Sequence, residues 1–195
     1  MSLLYTTITP AATPAVSVAD CKLDLRIEAS FTMDDDLILS YINAASKYAS
    51  EVVGRKLINE TVQVSIDGFS STIVLPFTPV SSVSEVQYYD GDNASQTLNT
   101  TDFYLYNFDN KTELVFKDNT TIPTTYNRRD AVNITFITGM GAASSDITPT
   151  ITKAIRLLVA HWYENRSSTV VGFAVNEIPM GVESMLSSER IGWVA

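Results

Sequence analysis

The chain has 195 residues and a formal net charge of −9, from 22 acidic and 13 basic side chains. A hydrophobic fraction of 45% excludes an intrinsically disordered chain, and the scattered basic residues argue against a general nucleic-acid binder. A single cysteine, Cys21, and a single histidine, His161, exclude a disulfide scaffold and a structural zinc site built from this chain alone.

An extended arm and a short helix are predicted at the N-terminal end. Residues 1–16 are rich in threonine and contain two prolines, which indicates an extended segment. Ser17 follows as an N-cap, with Asp20 three residues later as in a capping box. Apolar residues at helical spacing then predict a helix that ends near Arg26. The arm lacks the basic start of a signal peptide, so synthesis in the cytoplasm is expected.

A longer amphipathic helix is predicted over residues 33–53. Thr32 is placed to cap it, and the aspartates at positions 34–36 put negative charge at the positive end of the helix dipole. Gly54 is a natural stop, because helices often end at a glycine in the left-handed conformation. The apolar face of this helix carries Leu37, Ile38, Tyr41, Ile42, Ala45, Tyr48, Ala49 and Val52.

Between residues 60 and 138 the pattern changes to the two-residue period of β-strands. We predict about six strands, mostly antiparallel because the connections are short. The first and last of them alternate apolar and polar residues, at Val62, Val64 and Ile66 and at Val132, Ile134 and Phe136. The strands between them are residues 72–75, 83–89, 103–107 and 113–117.

Helical spacing returns after residue 148. Thr148 is placed to cap a helix with Pro149 at its first position, and a last short helix is predicted over residues 179–190. The inward residues of these two helices are Ile151, Ala154, Ile155, Leu158, Val159, Trp162, Val182, Met185 and Leu186. No single helix buries enough apolar surface to be stable alone, so the terminal helices are expected to pack together.

The expected fold class is therefore α+β, a core of about four helices built from both chain ends, with an inserted, mainly antiparallel β subdomain. We predict an arm at residues 1–16, N-terminal helices at 17–58 and the β subdomain at 59–140. The C-terminal helices of the same core occupy residues 141–191, and a tail occupies residues 192–195.

Three short motifs resemble ligand sites, but each is better explained by structure. Gly139-Met140-Gly141 begins like a dinucleotide fingerprint, yet no parallel βαβ unit surrounds it. Residues 34–36 could attract a divalent cation, but consecutive residues at a helix start point in different directions. Residues 90–93 are similar to part of a calcium loop, whose twelfth position would be Thr101 instead of glutamate. No metal and no cofactor are expected.

Cys21 and His161 could form a nucleophile–base pair. Both lie on or near the apolar faces of their helices, where burial is the usual outcome. The chain contains no motif of a serine hydrolase, a P-loop enzyme or a zinc protease. The sequence therefore predicts that the protein is not an enzyme.

Several short motifs follow one another along the chain. In chain order they are Lys22-Leu23-Asp24-Leu25-Arg26, residues 35–45, Gly54-Arg55-Lys56-Leu57, Leu75-Pro76, Pro79-Val80, Val86-Gln87-Tyr88-Tyr89-Asp90, residues 154–166 and residues 179–186. Their order resembles the head–tail connector (adaptor) proteins of long-tailed bacteriophages and prophages, from about residue 16 to residue 190. Each motif is a packing signature, and Met185 stands where the family usually has leucine.

This resemblance implies a non-enzymatic virion protein that forms a ring, typically a dodecamer, under the portal. The implied partners are the portal protein, a stopper or tail-completion protein and further copies of the chain, with the free protein able to stay monomeric. The implied location is the head–tail junction of the virion, after assembly in the host cytoplasm. DNA is expected to pass through without specific binding, because an acidic chain offers no clamp for phosphates. No membrane contact is expected.

The candidate docking residues lie in the tail and before the last strand. Trp193 is an aromatic anchor with no evident role in the core, and Val194 lies beside it in the sequence. Arg128 and Arg129 are the only pair of adjacent arginines, which fits either a solvated loop or an ion-pair contact with a neighbouring subunit. The apolar N-terminal arm is a further candidate for docking.

The alternative function is a β-rich module that binds carbohydrate or protein on a phage or bacterial surface structure. Such a module would present Tyr88, Tyr89, Tyr104 and Tyr106 on one exposed, flat face. If the protein is instead a connector, part of these four tyrosines is expected to be buried in the core.

Overall fold

The computed structural model describes residues 4–166 and 180–191, and its α+β architecture confirms the predicted fold class. The chain divides into two compact units. The β unit contains the described residues 4–12 and 59–140, and the helical unit contains 13–58, 141–166 and 180–191. Within these ranges no helix is long and apolar enough to cross a membrane.

The larger sheet of the β unit has five antiparallel strands. In spatial order they are β1 (Leu4–Thr9), β2 (Glu60–Ile66), β8 (Val132–Thr138), β4 (Val80–Tyr89) and β5 (Ser95–Leu98). The central strand β8 alternates buried and half-buried residues, and Val132, Ile134 and Phe136 are all buried, as predicted. Because a slip of one residue would expose this apolar face, burial fixes the register of β8 against β2 and β4.

The smaller sheet of the β unit has three antiparallel strands. In spatial order they are β3 (Thr72–Leu75), β7 (Thr112–Phe116) and β6 (Phe103–Asn107). Its buried residues Ile73, Leu75 and Leu114 belong to the same apolar cluster as Val64 and Ile134 of the larger sheet. The two sheets therefore share one core.

The sequence predicts about six strands, whereas the described part of the chain contains eight. The two additional strands, β1 and β5, are the edges of the larger sheet. All six residues of β1 are exposed, and β5 buries only Leu98. An edge strand pairs on one side only, so these two strands form with little of the apolar alternation that marks the others.

The helical unit contains α1 (Val18–Leu25), α2 (Asp35–Val53), α3 (Pro149–Glu164) and α4 (Met180–Ser188). Three predicted boundaries are confirmed: the Ser17 side chain caps α1, Gly54 ends α2 with φ of 77°, and Pro149 begins α3. Thr32 is not the cap of α2. Asp34 occupies that position without a side-chain capping bond, because its carboxylate accepts hydrogen bonds from Tyr163 and Arg166 instead.

Helices α2 and α3 come from opposite ends of the chain and pack on each other, as predicted. Ile42 of α2 and Ile155 and Leu158 of α3 are fully buried. Trp162 is only half-buried, with its ring centroid 6.3 Å from that of Tyr41. The predicted helix pair is confirmed, but Trp162 is not one of its fully buried residues.

Ion pairs attach α1 to its two neighbours. The Lys22 ammonium lies 2.5 Å from a carboxylate oxygen of Asp35, and the Lys22 side chain is only 7% exposed, against 37% for Asp35. The Asp24 carboxylate receives two hydrogen bonds from the Arg156 guanidinium, at 2.7 and 2.8 Å. Lys22, Asp24 and Asp35 all lie in motifs that carry the family resemblance, so these motifs include ionic contacts between helices as well as apolar packing.

The partial burial of Trp162 sets the expected cost of removing it. At a fully buried position, Trp→Ala lowers the free energy of unfolding by about 3–5 kcal/mol. Because the Trp162 ring is only half-buried, we expect Trp162→Ala to lower it by about 1–3 kcal/mol. Leu158→Ala, at a fully buried position, is expected to cost about 3–5 kcal/mol. Urea denaturation of both variants, followed by circular dichroism, measures these values. A larger loss for Trp162→Ala than for Leu158→Ala would contradict this prediction.

Lys22 is more deeply buried than Asp35, so we expect the loss of stability to depend on which of the two residues is replaced. Asp35→Asn leaves a buried ammonium without its counter-ion and is expected to cost about 3 kcal/mol. Lys22→Met keeps the apolar stem, and the Asp35 side chain is 37% exposed although its Oδ1 atom is buried, so a smaller loss of about 1–2 kcal/mol is expected. Thermal or urea denaturation compares the two variants. Equal losses would show that the burial of Lys22 does not decide the strength of this contact.

Candidate functional site

Cys21 and His161 are not brought together as a catalytic pair. Cys21 is 1% exposed, and burial raises the pKa of its thiol to about 11. His161 is half-buried in the last turn of α3, with its Nδ1 3.4 Å from the amide nitrogen of Asn165. No hydrogen bond joins Cys21 to His161 in the described part of the chain. A buried, protonated thiol is a poor nucleophile, because the thiolate is the reactive form.

The three aspartates at the start of α2 have separate surroundings. Asp34 accepts hydrogen bonds from Tyr163 and Arg166, and these two bonds hold the pKa of its carboxyl below the ordinary value. Asp35 pairs with Lys22, and Asp36 is exposed. Across residues 4–166 and 180–191, no three Asp, Glu, His or Cys side chains converge as metal ligands would.

The aspartate-rich turn at residues 90–93 connects β4 to β5. One Asp90 carboxylate oxygen accepts hydrogen bonds from the backbone N–H groups of Asp92 and Ala94, each at 3.0 Å. Its other oxygen accepts a hydrogen bond from the Gln96 side chain at 2.8 Å. These bonds lower the pKa of Asp90, and the bond from Gln96 has the largest effect. The carboxylate therefore stabilises a hairpin turn, which is a frequent use of aspartate.

Gly141, at the end of the glycine-rich segment, is explained by a close contact within the helical unit. A Cβ atom at this position would overlap the side chain of Asp146. That side chain is held in place because its carboxylate accepts a 3.0 Å hydrogen bond from the backbone N–H of Ala143. Close backbone approach is a common reason for glycine, so this residue needs no nucleotide to account for it.

The apolar space between the two sheets of the β unit is too small for an organic ligand. A cavity of about 10 Å³ is bounded by side chains such as Phe69, Phe103 and Ile134. One water molecule needs roughly 10–15 Å³, and small-molecule sites are usually about 300–1,000 Å³. This cavity is therefore a small packing defect of the core and not a ligand site.

Of the four candidate docking residues, two can be located. Arg128 donates two hydrogen bonds of 2.6 Å to Asp130, and its guanidinium carbon lies 4.0 Å from the centre of the Tyr89 ring. Arg129 is exposed and makes no hydrogen bond or ion pair with other described residues. Trp193 and Val194 lie outside the described residues. Arg128 is thus occupied within its own subunit, which leaves Arg129 as the accessible member of the pair.

The four tyrosines of the alternative function do not share one flat face. The ring of Tyr88 packs edge-on against Phe69 at 5.5 Å, beside the core of the β unit, and the ring of Tyr89 is covered by Arg128. Tyr104 and Tyr106 are exposed, by 51% and 45%. Only half of the set is available to a partner, so a carbohydrate platform of four tyrosines is absent from the described β unit.

The exposed tyrosines belong to an aromatic face of the smaller sheet, which we define as Val74, Val115, Tyr104 and Tyr106. Strand register places Tyr104 beside Val115, and Tyr106 and Val74 on either side of Glu113. Lysine ammonium groups flank this face: Lys117 lies 4.8 Å from the Tyr104 ring centre, and Lys111 lies 5.5 Å from that of Phe108. Tyrosine rings exposed in this way are frequent anchors of protein interfaces.

A second exposed feature is strand β1 at the edge of the larger sheet. The side chains of Leu4, Tyr5 and Ile8 are 67%, 53% and 53% exposed, and the whole strand contains no charged residue. The arm is predicted as an extended, apolar segment, but this strand is not predicted. The signal that could have found it is the run of β-branched and aromatic residues in Leu-Tyr-Thr-Thr-Ile-Thr, which has high strand propensity despite its threonines.

Comparison with known proteins gives a family and a fold. Residues 16–190 match the sequence model of a family described as head completion protein. No curated protein sequence matches the chain.

Solved structures resemble the chain over nearly its whole length. A chain from the neck of the empty GTA particle, computed with C6 symmetry, is 22% identical with a TM-score of 0.77, covering 100% of this chain and 98% of that one. A chain from the virion of the native gene transfer agent (GTA) particle is 21% identical with a TM-score of 0.79, covering 98% and 97%. A chain from the neck of the native GTA particle, computed with C12 symmetry, is 21% identical with a TM-score of 0.74, covering 100% and 98%. At these identities the similarity shows a shared fold.

The burial of Cys21 predicts a dependence of stability on pH. The folded thiol has a pKa of about 11 against an ordinary value of 9.0, so the unfolded chain loses this proton first as the pH rises. The thiol's contribution to stability is therefore complete below about pH 9 and is lost between about pH 9 and pH 11. The difference in unfolding free energy between the natural chain and Cys21→Ala is expected to narrow from about pH 8 to about pH 10.5. A constant difference in urea titrations at these two values would contradict the prediction.

Proposed function

The chain belongs to the head completion protein family, so its role is that of a structural head–tail connector, and we propose that it works as one subunit of a ring. The observation that carries this proposal is the family match over residues 16–190, combined with whole-chain structural similarity to proteins of particle necks. Those necks were computed with C6 and C12 symmetry. The C12 symmetry of one of these necks supports a ring of twelve copies.

The charge of the chain supports a ring through which DNA passes. Each copy carries a net charge of −9, and binding to DNA depends on cations that neutralise phosphates. Several of the basic side chains are already paired with carboxylates of the same subunit, such as Lys22, Arg128 and Arg156. A ring of such subunits would let DNA slide without holding it.

The proposed partners are the portal protein on one side and a stopper or tail-completion protein on the other. We place the assembled protein at the head–tail junction of the virion and its assembly in the host cytoplasm. The role needs contacts and no turnover, so we propose that the protein is not an enzyme. The buried Cys21 thiol and the separate surroundings of residues 34–36 support this view.

Electron microscopy of the purified protein mixed with cognate portal-bearing heads tests the ring. The expected result is a ring of subunits beneath the portal, and light scattering of the protein alone reports whether the portal is needed for it to form. A protein that stays monomeric at high concentration and does not join portal-bearing heads would overturn the proposal. Specific binding to a glycan array would favour the alternative surface module.

We further propose that residues 192–195, with Trp193 as the anchor and Val194 beside it, dock on the portal. The support is the sequence alone: a short tail carries an aromatic side chain of the type that dominates interfaces. Arg129 is the proposed ion-pair contact to a neighbouring subunit, because it is exposed while Arg128 is held by Asp130.

Deletion of residues 192–195 separates docking from folding. The free energy of unfolding is expected to change by about 0.5 kcal/mol or less, as for most surface changes, while binding to portal-bearing heads weakens. Trp193→Ala is expected to reproduce most of this loss, and Lys47→Ala, a change at an exposed position with no proposed contact, is expected to spare portal binding. If the truncated protein still joins heads to tails with full efficiency, the tail does not dock on the portal. That result would leave the connector role itself unchanged.

A further inference from the structure

The β unit has four strand edges, and two of them are suited to pairing with another chain. The edges are β1 and β5 in the larger sheet and β3 and β6 in the smaller sheet. β1 and β6 are the longest, with six and five residues, against four residues each for β3 and β5. They are also the edges that expose tyrosine: Tyr5 on β1, and Tyr104 and Tyr106 on β6.

The first part of strand β1 lacks the side chains that usually protect a sheet edge. Natural edge strands carry lysine, proline, inward-facing charges or bulges that prevent pairing with other chains, and residues 4–9 contain no lysine, proline or charge. The register shifts between Thr7 and Thr9, so the regular part of the edge is residues 4–7, which pair in register with β2. This uncharged run of high strand propensity is a template for a further strand.

The net charge indicates where copies of the chain can meet. Because each copy carries −9, two copies repel each other unless their contact avoids carboxylates or places them against cations. Neither β1 nor β6 contains a charged residue. Beside β6, the Lys111 ammonium lies 2.7 Å from the Glu113 carboxylate of β7, so this cation is balanced within its own subunit. A contact made by strands β1 and β6 themselves therefore brings no charged side chain of one strand against a charged side chain of the other.

A ring also requires that two different surfaces of the subunit meet, since each copy contacts one neighbour through each surface. β1 and β6 satisfy this condition, because they are edges of different sheets and differ in sequence. Self-pairing of β1 alone would give a closed dimer instead.

We propose that β1 of one copy pairs with β6 of the next copy around the ring. The five-stranded sheet of one subunit then continues into the three-stranded sheet of its neighbour. Backbone hydrogen bonds supply the attachment, as in other cases of strand addition, and the exposed tyrosines supply the side-chain contacts. This inference rests on the proposed ring and names the surfaces that form it.

Disulfide trapping tests the contact directly. Neighbouring strands bring opposite Cα atoms to about 4.5–5.5 Å, which lies within the range for disulfides, and the buried Cys21 does not compete. Thr6→Cys is mixed with Tyr104→Cys or Tyr106→Cys under ring-forming conditions, with portal-bearing heads where these are needed, and oxidised. We expect a dimer that contains both variants, and little dimer from either variant alone. Thr97→Cys on β5, an exposed position on the opposite edge of the same sheet, replaces Thr6→Cys as the control and is expected not to cross-link.

A charge placed on the edge provides the second measurement. Thr6→Lys puts an ammonium group on an exposed strand, so the melting temperature is expected to stay unchanged while rings are lost. Thr97→Lys makes the same change on β5 and is expected to leave the rings intact. If rings form but the β1–β6 cross-link does not, and if Thr6→Lys leaves the rings intact, the β1–β6 contact is wrong although the ring is correct. Failure of the natural chain to form rings under any of these conditions would overturn both.

Discussion

The pairing of β2 with β8 is the contact that makes the rest of the fold possible. The helical unit depends on packing between α2 and α3, which are separated in sequence by the whole β insertion. β2 begins the insertion and β8 ends it, and their register places Glu60 opposite Thr138. The insertion therefore brings its own two ends together, and the cost of closing so long a loop is met by the hydrogen bonds and burial of the sheet.

Charge is used in this protein mainly to join neighbouring helices and to shape turns. The N-terminus of α2 is tied to the C-terminal end of α3 through Asp34, which bonds Tyr163 and Arg166, and to α1 through Asp35. Asp90 and Asp146 close turns with backbone N–H groups. An acidic chain with such internal uses for its cations keeps few of them for a nucleic acid, which is consistent with the proposed ring through which DNA would slide.

The elements that sequence predicts well are those whose burial follows a period. Helices α2 and α3 and strands β2 and β8 each bury one face, so their apolar residues mark both their type and their orientation. β1 escapes prediction because none of its residues is buried, and its pairing depends on a partner more than 50 residues away. The cap of α2 moves from Thr32 to Asp34 for a similar reason: Tyr163 and Arg166, which bind Asp34, are distant in sequence. For the site, sequence identifies the exposed Tyr104 and Tyr106, but only the fold shows that Tyr88 and Tyr89 are engaged within the subunit.

The burial of Cys21 has a consequence for the redox chemistry of the proposed virion subunit. The cytoplasm keeps thiols reduced, and the medium outside favours disulfides. The chain has no other cysteine, and this one is 1% exposed with a raised pKa, so oxidants and thiol partners reach little of its sulfur and find little thiolate there. In the proposed role, a subunit assembled in a reducing cytoplasm would enter an oxidising medium with its covalent structure unchanged, because its one thiol is shielded in both.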